Sequence, residues 1–266
     1  MPAPLVTLTT DFGPRSPYVA AMKGALLSVN AEVHLVDLTH NLPPQDVPAC
    51  SLFLRLAVPF FPTRTLHVVV VDPGVGTDRA VLYVEANGQR LLVPDNGCWT
   101  SLLGPSAKPP LVFRVTERRY WAKEVSATFH GRDIFAPVAG HLSLGLAPDL
   151  LGPRVTSWVD WQPPQPRRSR DALDGEVVFV DDFGNLLTNI SGEVWRQCRL
   201  RRVLVGDRPV ERLVRTYGEA PVGTVVALVS SMDTLEVAEV QGNAARRLGA
   251  TTGTPVRVEL SEGSPP

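Results

Sequence analysis

The sequence lacks the features that mark a secreted, membrane-bound or nucleic-acid-binding protein. Its 266 residues include only three cysteines, Cys50, Cys98 and Cys198, and no CxxC pair, so a disulfide framework is not expected. No apolar run approaches the roughly 20 residues that span a bilayer, and the N-terminus has no signal-peptide pattern. A formal net charge of -1 argues against nucleic acid or an anionic membrane as a partner. We therefore expect a cytoplasmic protein with reduced thiols.

The usual cofactor and metal motifs are missing as well. The chain contains no P-loop and no GxGxxG fingerprint, so the common phosphate-binding loops are absent. His34, His40, His67 and His141 show none of the spacings, such as HxxxH, that hold a metal ion. We therefore expect no metal and no cofactor.

What the sequence does contain is an alternation of strand and helix signals over residues 1–152. The apolar runs 5–9, 33–38 and 66–71 are typical of strands. Helical segments lie between them; Ser16 and Pro17 are expected to open one helix and Asp46 to cap the next. This alternation predicts an α/β domain whose central, mainly parallel sheet is flanked by helices.

The second half of the chain has a different pattern. Residues 153–171 are rich in proline and arginine with little apolar periodicity, which predicts a linker. Residues 172–262 contain several short strand signals, which predict a smaller C-terminal β-barrel domain. Residues 263–266 are expected to be a disordered tail.

Titratable side chains stand directly beside the predicted strands and helices. Asp11 follows the first strand, Asp72 follows a buried valine run, and His130 precedes a predicted helix. Ligands of open α/β sheets bind beyond the carboxyl ends of strands, and Arg79 is a natural partner for a buried carboxylate. Each residue also has a structural alternative: a turn cap for Asp11, a loop-closing ion pair for Asp72 and Arg79, and a structural histidine for His130.

Three other polar segments are candidates for ligand binding, and each can also be explained by local turn or loop structure. Asn96 lies in the turn Pro94-Asp95-Asn96-Gly97, which turn geometry alone can explain. Asp181 and Asn185 interrupt a strand pattern, where they suit either a hairpin turn or a polar ligand group. Ser230 and Ser231 mark a polar loop after an apolar run.

Taken together, these segments match one known family. The ordered motifs are TTDFG, YVAAMKG, VDLTHNLPPQDV, VDPGVG followed by Arg79, PDNG, TFHGRDIFAP, DDFGNLLTNI and LEVAEVQGNAA. They span essentially the whole chain, which therefore resembles the S-adenosyl-L-methionine hydrolases that form adenosine, also called SAM hydroxide adenosyltransferases, relatives of the fluorinases and chlorinases.

The resemblance implies a reaction and a set of site residues. S-adenosyl-L-methionine would be hydrolysed to adenosine and L-methionine by an activated water at ribose C5′. The water-activating residues would be Asp72, Arg79 and His130. Asp11 would hold the ribose, Asp181 the methionine part and Asn185 the adenine, with further substrate contacts from Asn96, Ser230 and Ser231.

The resemblance also implies an assembly. It predicts a homotrimer in which substrate binds between the N-terminal domain of one subunit and the C-terminal domain of its neighbour. This chain departs from many relatives at Asp182, where they carry a basic residue. It also departs at 230–234, where they have a Gly-Tyr pair and one residue fewer.

Two alternatives stay open from the sequence. A halide-dependent 5′-halogenase would act on the same substrate, but the halogenating relatives place Tyr where Asp72 stands and Thr at the Val75 position. A carboxylate also repels a halide, whereas it can help to take a proton from water. A non-catalytic sensor of adenosine or S-adenosyl-L-methionine would need Asp11 and Asn185 but not the group formed by Asp72, Arg79 and His130.

Overall fold

The structure, a computed structural model, describes residues 3–104 and 108–261. The chain divides into two compact units, Met1–Gln162 and Pro163–Pro266; this division lies within the predicted linker 153–171. The tail predicted at 263–266 lies outside the described residues. Each unit is built around its own sheet, so the chain is a mixed α/β protein with two sheets.

Among its described residues, the first unit contains six strands and three α-helices. The strands are β1 Leu5–Thr10, β2 His34–Thr39, β3 Leu66–Val70, β4 Val81–Ala86, β5 Gln89–Pro94 and β6 Leu111–Arg114. The helices are α1 Tyr18–Leu27, α2 Val47–Ala57 and α3 Ala136–Ser143, the last continuing directly from a π-helical turn at Gly131–Phe135.

The sheet of this unit has the strand order β2-β1-β3-β5-β4-β6. Neighbouring strands from β2 to β5 are parallel, whereas β4 runs antiparallel to both β5 and β6. The β4–β5 hairpin turns at Asn87 and Gly88, which have φ values of 50° and 77°. These positive φ values are those that an Asn-Gly hairpin turn requires.

Strand β3 explains how the sheet is buried on both faces. Successive side chains of a strand point to opposite faces, and the valine run obeys this rule. Val68 and Val70 pack in one apolar cluster with Phe135 and Met22 of the helical layer. Val69 belongs to a second cluster, which includes Trp99 and residues of α2. The buried strand predicted from the valine run is confirmed.

The two predicted helix starts have different outcomes. Asp46 caps α2, since its Oδ1 accepts a hydrogen bond from the Ala49 amide at 2.8 Å. The expectation that Ser16 caps α1 is wrong. That helix begins at Tyr18 without a side-chain cap, and the Ser16 hydroxyl instead donates to the Phe12 carbonyl at 2.7 Å.

The second unit is formed mainly by strands. These are β7 Arg167–Arg168, β8 Ala172–Val180, β9 Leu186–Ser191, β10 Leu200–Val205, β11 Arg208–Pro209, β12 Arg212–Leu213, β13 Val225–Val229, β14 Thr234–Glu239 and β15 Pro255–Leu260, with two short helices, α4 Gly192–Gln197 and α5 Ala244–Leu248. Their order is β11-β10-β15-β8-β9-β14-β13-β12, and β7 pairs with β8. Within the described ranges, none of the helices has the length and apolar character needed to cross a membrane.

Candidate active site

Two adjacent strands of the first sheet deliver the candidate carboxylates. β1 and β3 are parallel neighbours, with Thr10 of β1 opposite Val70 of β3. Asp11 follows β1 directly, and Asp72 follows β3 after one further residue. The topology therefore places both carboxylates at the carboxyl edge of the sheet, where open α/β sheets bind ligands.

Asp72 is held by Arg79, as predicted from the sequence. The Arg79 Nε donates to Asp72 Oδ1 at 2.9 Å, and its Nη2 donates to Oδ2. Only 4% of the Asp72 side chain and 6% of the Arg79 side chain are exposed. Burial raises the pKa of the Asp72 carboxyl above its ordinary value even though the Arg79 charge acts in the opposite direction. The result is a buried carboxylate that is more basic than an exposed one.

His130 completes this group through Nη2 of Arg79, the nitrogen that also donates to Asp72. It directly precedes the π-helical turn Gly131–Phe135, and its Nδ1 lies 3.2 Å from Arg79 Nη2. Burial, followed by the Arg79 charge, lowers the pKa of His130 below its ordinary value. The Arg79 guanidinium also lies over the Phe135 ring, 5.7 Å from its centroid. The structure therefore brings Asp72, Arg79 and His130 into one contact network.

The segment before His130 is fixed by an ion pair that sequence reasoning missed. Asp133 is 2% exposed, and its Oδ1 accepts from Arg132 Nε at 2.6 Å. Its Oδ2 accepts from the Ser126 amide at 2.8 Å, and Arg132 and Ser126 together lower the pKa of Asp133. The hydrogen bond between the Ser126 amide and Asp133 ties the loop before His130 to the helical turn that follows it.

Asp11 has one hydrogen bond to the loop before α2. Its Oδ2 accepts from the backbone amide of Gln45 at 2.7 Å. The neighbouring Thr10 hydroxyl lies 2.9 Å from Nδ1 of His40. Asp11 is half-buried at the edge of the sheet, so its carboxylate is positioned and open to a ligand.

Asn96 has a clear contact within the protein. Its Nδ2 donates to the carbonyl of Val71 at 2.9 Å, and its Oδ1 accepts from the Cys98 amide at 3.2 Å. Gly97 has a positive φ of 87°, which fits the turn predicted at this segment. Asn96 thus fixes the backbone immediately before Asp72, while its predicted contact with substrate stays a prediction.

Three aromatic rings, which sequence reasoning did not single out, pack between these loops. Phe12, Tyr18 and Phe129 meet edge to face with centroids 5.1 to 5.8 Å apart, and Tyr18 is 49% exposed. Phe12 and Phe129 adjoin Asp11 and His130 in the sequence, which was the available signal. The cluster offers ring surface beside the two polar residues.

In the second unit, Asp181 and Asn185 lie on one turn between β8 and β9. Asp181 Oδ1 accepts from the amides of Phe183 at 3.0 Å and Asn185 at 2.8 Å, and its Oδ2 accepts from Asn185 Nδ2 at 2.9 Å. Phe183, between them, is 77% exposed. The structure therefore pairs the two predicted residues and presents a large apolar side chain beside them.

The Ser230–Thr234 loop is held mainly by Ser230. Its Oγ accepts from the amides of Met232 at 3.2 Å and Thr234 at 3.4 Å. Ser231 is exposed, and Asp233 has a φ of 57° and an ion pair with Arg196. The loop thus has its own internal structure, and the substrate contacts predicted for Ser230 and Ser231 stay predictions.

A buried acid near Asp181 was also missed. Glu236 of β14 is 5% exposed, and its Oε1 accepts from the Tyr217 hydroxyl. Burial raises the pKa of Glu236, and the Asp181 charge raises it further. The two residues are 19 positions apart and share no motif, so no sequence pattern points to this pair. In the described part of the chain, no group of three His, Cys, Asp or Glu residues is placed to hold a metal.

Comparisons with known proteins agree with this layout. Residues 6–152 match the family model described as the SAM hydroxide adenosyltransferase N-terminal domain, and residues 175–257 match the corresponding C-terminal domain. The chain is 40% identical, over 95% of its length and 98% of the relative, to the (R)-S-adenosyl-L-methionine hydrolase of Thermus thermophilus.

The chain is also similar to a more distant group of enzymes and to a solved structure. It is 26% identical to a fluorinase of Actinoplanes sp., covering 90% of this chain and 92% of that protein. A crystal structure of an uncharacterized conserved protein from Thermotoga maritima matches with a TM-score of 0.89 and 31% identity, covering 96% of this chain and 99% of that one.

Proposed function

The chain belongs to the SAM hydroxide adenosyltransferase family, and from this premise we propose that it hydrolyses S-adenosyl-L-methionine to adenosine and L-methionine. The two family models together cover most of the chain, and the 40% identical relative carries the name of this hydrolase. Water attacks ribose C5′ in line with the departing sulfur. The electron pair of the broken C–S bond stays on sulfur, which leaves as the neutral thioether of methionine.

The observation that carries the mechanism is the buried network of Asp72, Arg79 and His130. Arginine has only donors, so Arg79 Nη2 donates to Nδ1 of His130, and the neutral imidazole carries its proton on Nε2. His130 is therefore a donor to the attacking water. Because Asp72 has a raised pKa, it is the acceptor of the proton that the water loses. Arg79 stays charged and fixes the geometry of both.

The leaving group needs no acid, since a thioether is neutral when it departs. The work of the enzyme is to orient water, to take one proton and to hold C5′ in line. This chemistry requires no metal and no cofactor, and our proposal includes neither.

Substrate contacts are assigned to the remaining site residues. Asp11 holds the ribose hydroxyls, which its half-buried position at the sheet edge allows. Asp181 holds the methionine part and Asn185 the adenine, beside the exposed Phe183 ring. Asn96, Ser230 and Ser231 supply further contacts.

The proposal extends to assembly and location. A homotrimer places the first unit of one subunit against the second unit of its neighbour, with substrate between them, and the second sheet curls into a barrel. This arrangement would unite Asp11, Asp72, Arg79 and His130 with the residues of the second unit. We place the protein in the cytoplasm, which suits its three free cysteines.

Halide transfer is disfavoured by the same network. A halide next to the Asp72 carboxylate meets a like charge in a buried setting. In addition, β4 follows Arg79 almost directly and leads through a tight hairpin to Pro94, leaving no inserted loop of the kind that fluorinases carry.

The test is to incubate the purified protein with S-adenosyl-L-methionine, with and without excess chloride, and to separate the products by chromatography. We expect equal amounts of adenosine and methionine at a rate independent of chloride. A 5′-chloronucleoside would indicate halogenation, and intact substrate together with bound adenosine would indicate a sensor; either result would overturn the proposal.

A further inference from the structure

A cavity lies beside the network of Asp72, Arg79 and His130. It has a volume of about 590 Å³ and belongs entirely to the first unit. Arg79 and His130 form part of its wall, whereas Asp11 and Asp72 lie outside its lining. The remaining wall comes from the Thr77–Val81 segment, the end of β6, and residues between Arg118 and Ile134.

The sheet order places this cavity farther along the same edge of the sheet than Asp11 and Asp72. Asp11 and Asp72 follow β1 and β3, whereas the cavity is lined by residues of β4 and by Arg114 at the end of β6. β6 lies three strands from β3, and adjacent strands are about 4.8 Å apart. Arg79 therefore links Asp72, which engages its Nε and Nη2, to the wall of the cavity.

The wall of the cavity is strongly positive. Arg114, Arg118 and Lys123 are exposed in it, and within the described residues none of them forms an ion pair with a carboxylate. Arg118 stacks on the Trp121 ring, 5.6 Å from its centroid. Asp78 is the one carboxylate among the lining residues. The cavity therefore repels the sulfonium and ammonium groups of the proposed substrate and attracts an anion with more than one charge.

Arg79 adds positive charge to the wall. It lines the cavity, and its side chain is only 6% exposed. Its Nη1 is itself buried, so Arg79 acts on a ligand in the cavity through its charge rather than through a direct hydrogen bond from this atom.

The rest of the lining is apolar. Val81, Val115 and Ile134 contribute aliphatic surface, and Trp121 contributes a ring. Cavities of this size hold organic ligands rather than single ions, so the cavity suits an anionic group attached to an apolar body.

We propose that this cavity binds a small organic phosphate monoester, its dianionic phosphate on Arg114, Arg118 and Lys123 and its apolar part against Trp121 and the valines. Guanidinium groups match the geometry of phosphate oxygens. The site does not depend on the proposed hydrolase activity, and phosphate binding there is measurable without any substrate.

Titration calorimetry with phenyl phosphate and with inorganic phosphate tests the proposal. We expect saturable binding of both, with phenyl phosphate the tighter. Arg118→Ala and Lys123→Ala each weaken binding about tenfold, the equivalent of one charge-assisted hydrogen bond. Arg119→Ala is the matched control, because Arg119 stacks on Tyr120 and pairs with Glu117 outside the cavity lining.

The Asp78→Asn variant should bind phosphate more tightly than the native chain, a result that misfolding cannot produce. Removal of this carboxylate from the wall tightens phosphate binding several-fold. The proposal is overturned if no saturable binding occurs, if Arg119→Ala weakens binding as much as Arg118→Ala, or if Asp78→Asn fails to tighten it. Equal affinity for inorganic and phenyl phosphate would refute the apolar part of the site.

Discussion

Nη2 of Arg79 lies 3.2 Å from Nδ1 of His130, and this contact decides which proton the imidazole carries. An arginine can only donate, so Nδ1 is the acceptor and the neutral ring holds its hydrogen on Nε2. A ring in this state has no free lone pair for a proton from water. In the proposed mechanism the role of general base therefore falls to Asp72, which the same guanidinium contacts through Nε and Nη2.

Asp72→Asn tests this assignment. The amide keeps the size of the side chain but removes its basicity, so we expect kcat to fall by about a hundredfold to ten-thousandfold, with KM changing by less than about threefold. Steady-state kinetics of adenosine formation measure both constants. Asp149→Asn is the control, since Asp149 is exposed in a short helix of the same unit and its loss should leave both constants unchanged. An equal loss in kcat and substrate affinity would contradict the role of Asp72 as base.

The pH dependence of kcat/KM follows from the two shifted groups. Burial raises the pKa of Asp72 from its ordinary 3.8, and burial with the Arg79 charge lowers the pKa of His130 from its ordinary 6.5. In the proposed mechanism both groups must be unprotonated, so kcat/KM falls as the pH decreases, and the raised pKa of Asp72 places this loss above pH 3.8. Rates measured from about pH 3 to about pH 8 would show this acid limb; full activity retained at pH 3.8 would contradict the raised pKa of Asp72.

Gly76→Ala should damage stability and activity together. Gly76 has a φ of 78°, and an added Cβ would lie 2.3 Å from the carbonyl oxygen of Ala127, three residues before His130. Relief of this clash separates the Arg79 loop from the His130 loop, at an expected cost of about 1–3 kcal/mol in the free energy of unfolding and a marked drop in kcat.

Gly24→Ala is the matched control for that variant. Gly24 lies within α1, and an added Cβ there meets nothing within 4 Å. We expect a gain in stability of about 0.5–1 kcal/mol and unchanged activity. Thermal unfolding and kcat measured on both variants separate the two cases; a fully active Gly76→Ala protein would contradict the coupling of the loops.

His67 predicts an acid-dependent loss of stability that is unrelated to catalysis. It is fully buried in β3, and its Nδ1 lies 2.7 Å from the Thr7 hydroxyl. Burial lowers the pKa of His67 from 6.5 to about 4. Between these values the unfolded chain binds the additional proton, so the free energy of unfolding decreases as pH falls from 6.5 to about 4, by about 3 kcal/mol at most.

His67→Gln should remove this part of the pH dependence, whatever its effect on absolute stability. His34→Gln, a change at an exposed position in β2, should leave it intact. Denaturant unfolding at several pH values gives the slopes. Identical slopes for the native chain and His67→Gln would show that the histidine is not buried in its neutral form.

Much of the first unit could be predicted because its signals are local. The valine run before Asp72 predicts a strand buried on both faces, and Asn87-Gly88 predicts the hairpin. Asp72 and Arg79 lie only seven residues apart across a glycine-rich turn, so their ion pair was foreseeable. The predicted cap at Ser16 was wrong because the Ser16 hydroxyl donates to the Phe12 carbonyl instead of accepting from the helix. A serine can form either bond, and the sequence pattern does not distinguish between them.

The rest depends on contacts between distant segments. Nothing near Glu236 points to Tyr217, and nothing in the PDNG turn points to the Val71 carbonyl that Asn96 binds. β9 was not predicted because its residues follow a polar turn and include Thr188 and Asn189 within the strand. The burial of Arg79 Nη1 could be recognised only from packing.

The most direct test of the central claim, that water activated at Asp72 attacks ribose C5′, is to run the reaction in water enriched in the heavy oxygen isotope and analyse the products by mass spectrometry. We predict that adenosine carries the heavy isotope in its 5′-hydroxyl and that methionine carries none. Adenosine without the label, or label in methionine, would contradict attack of water on C5′.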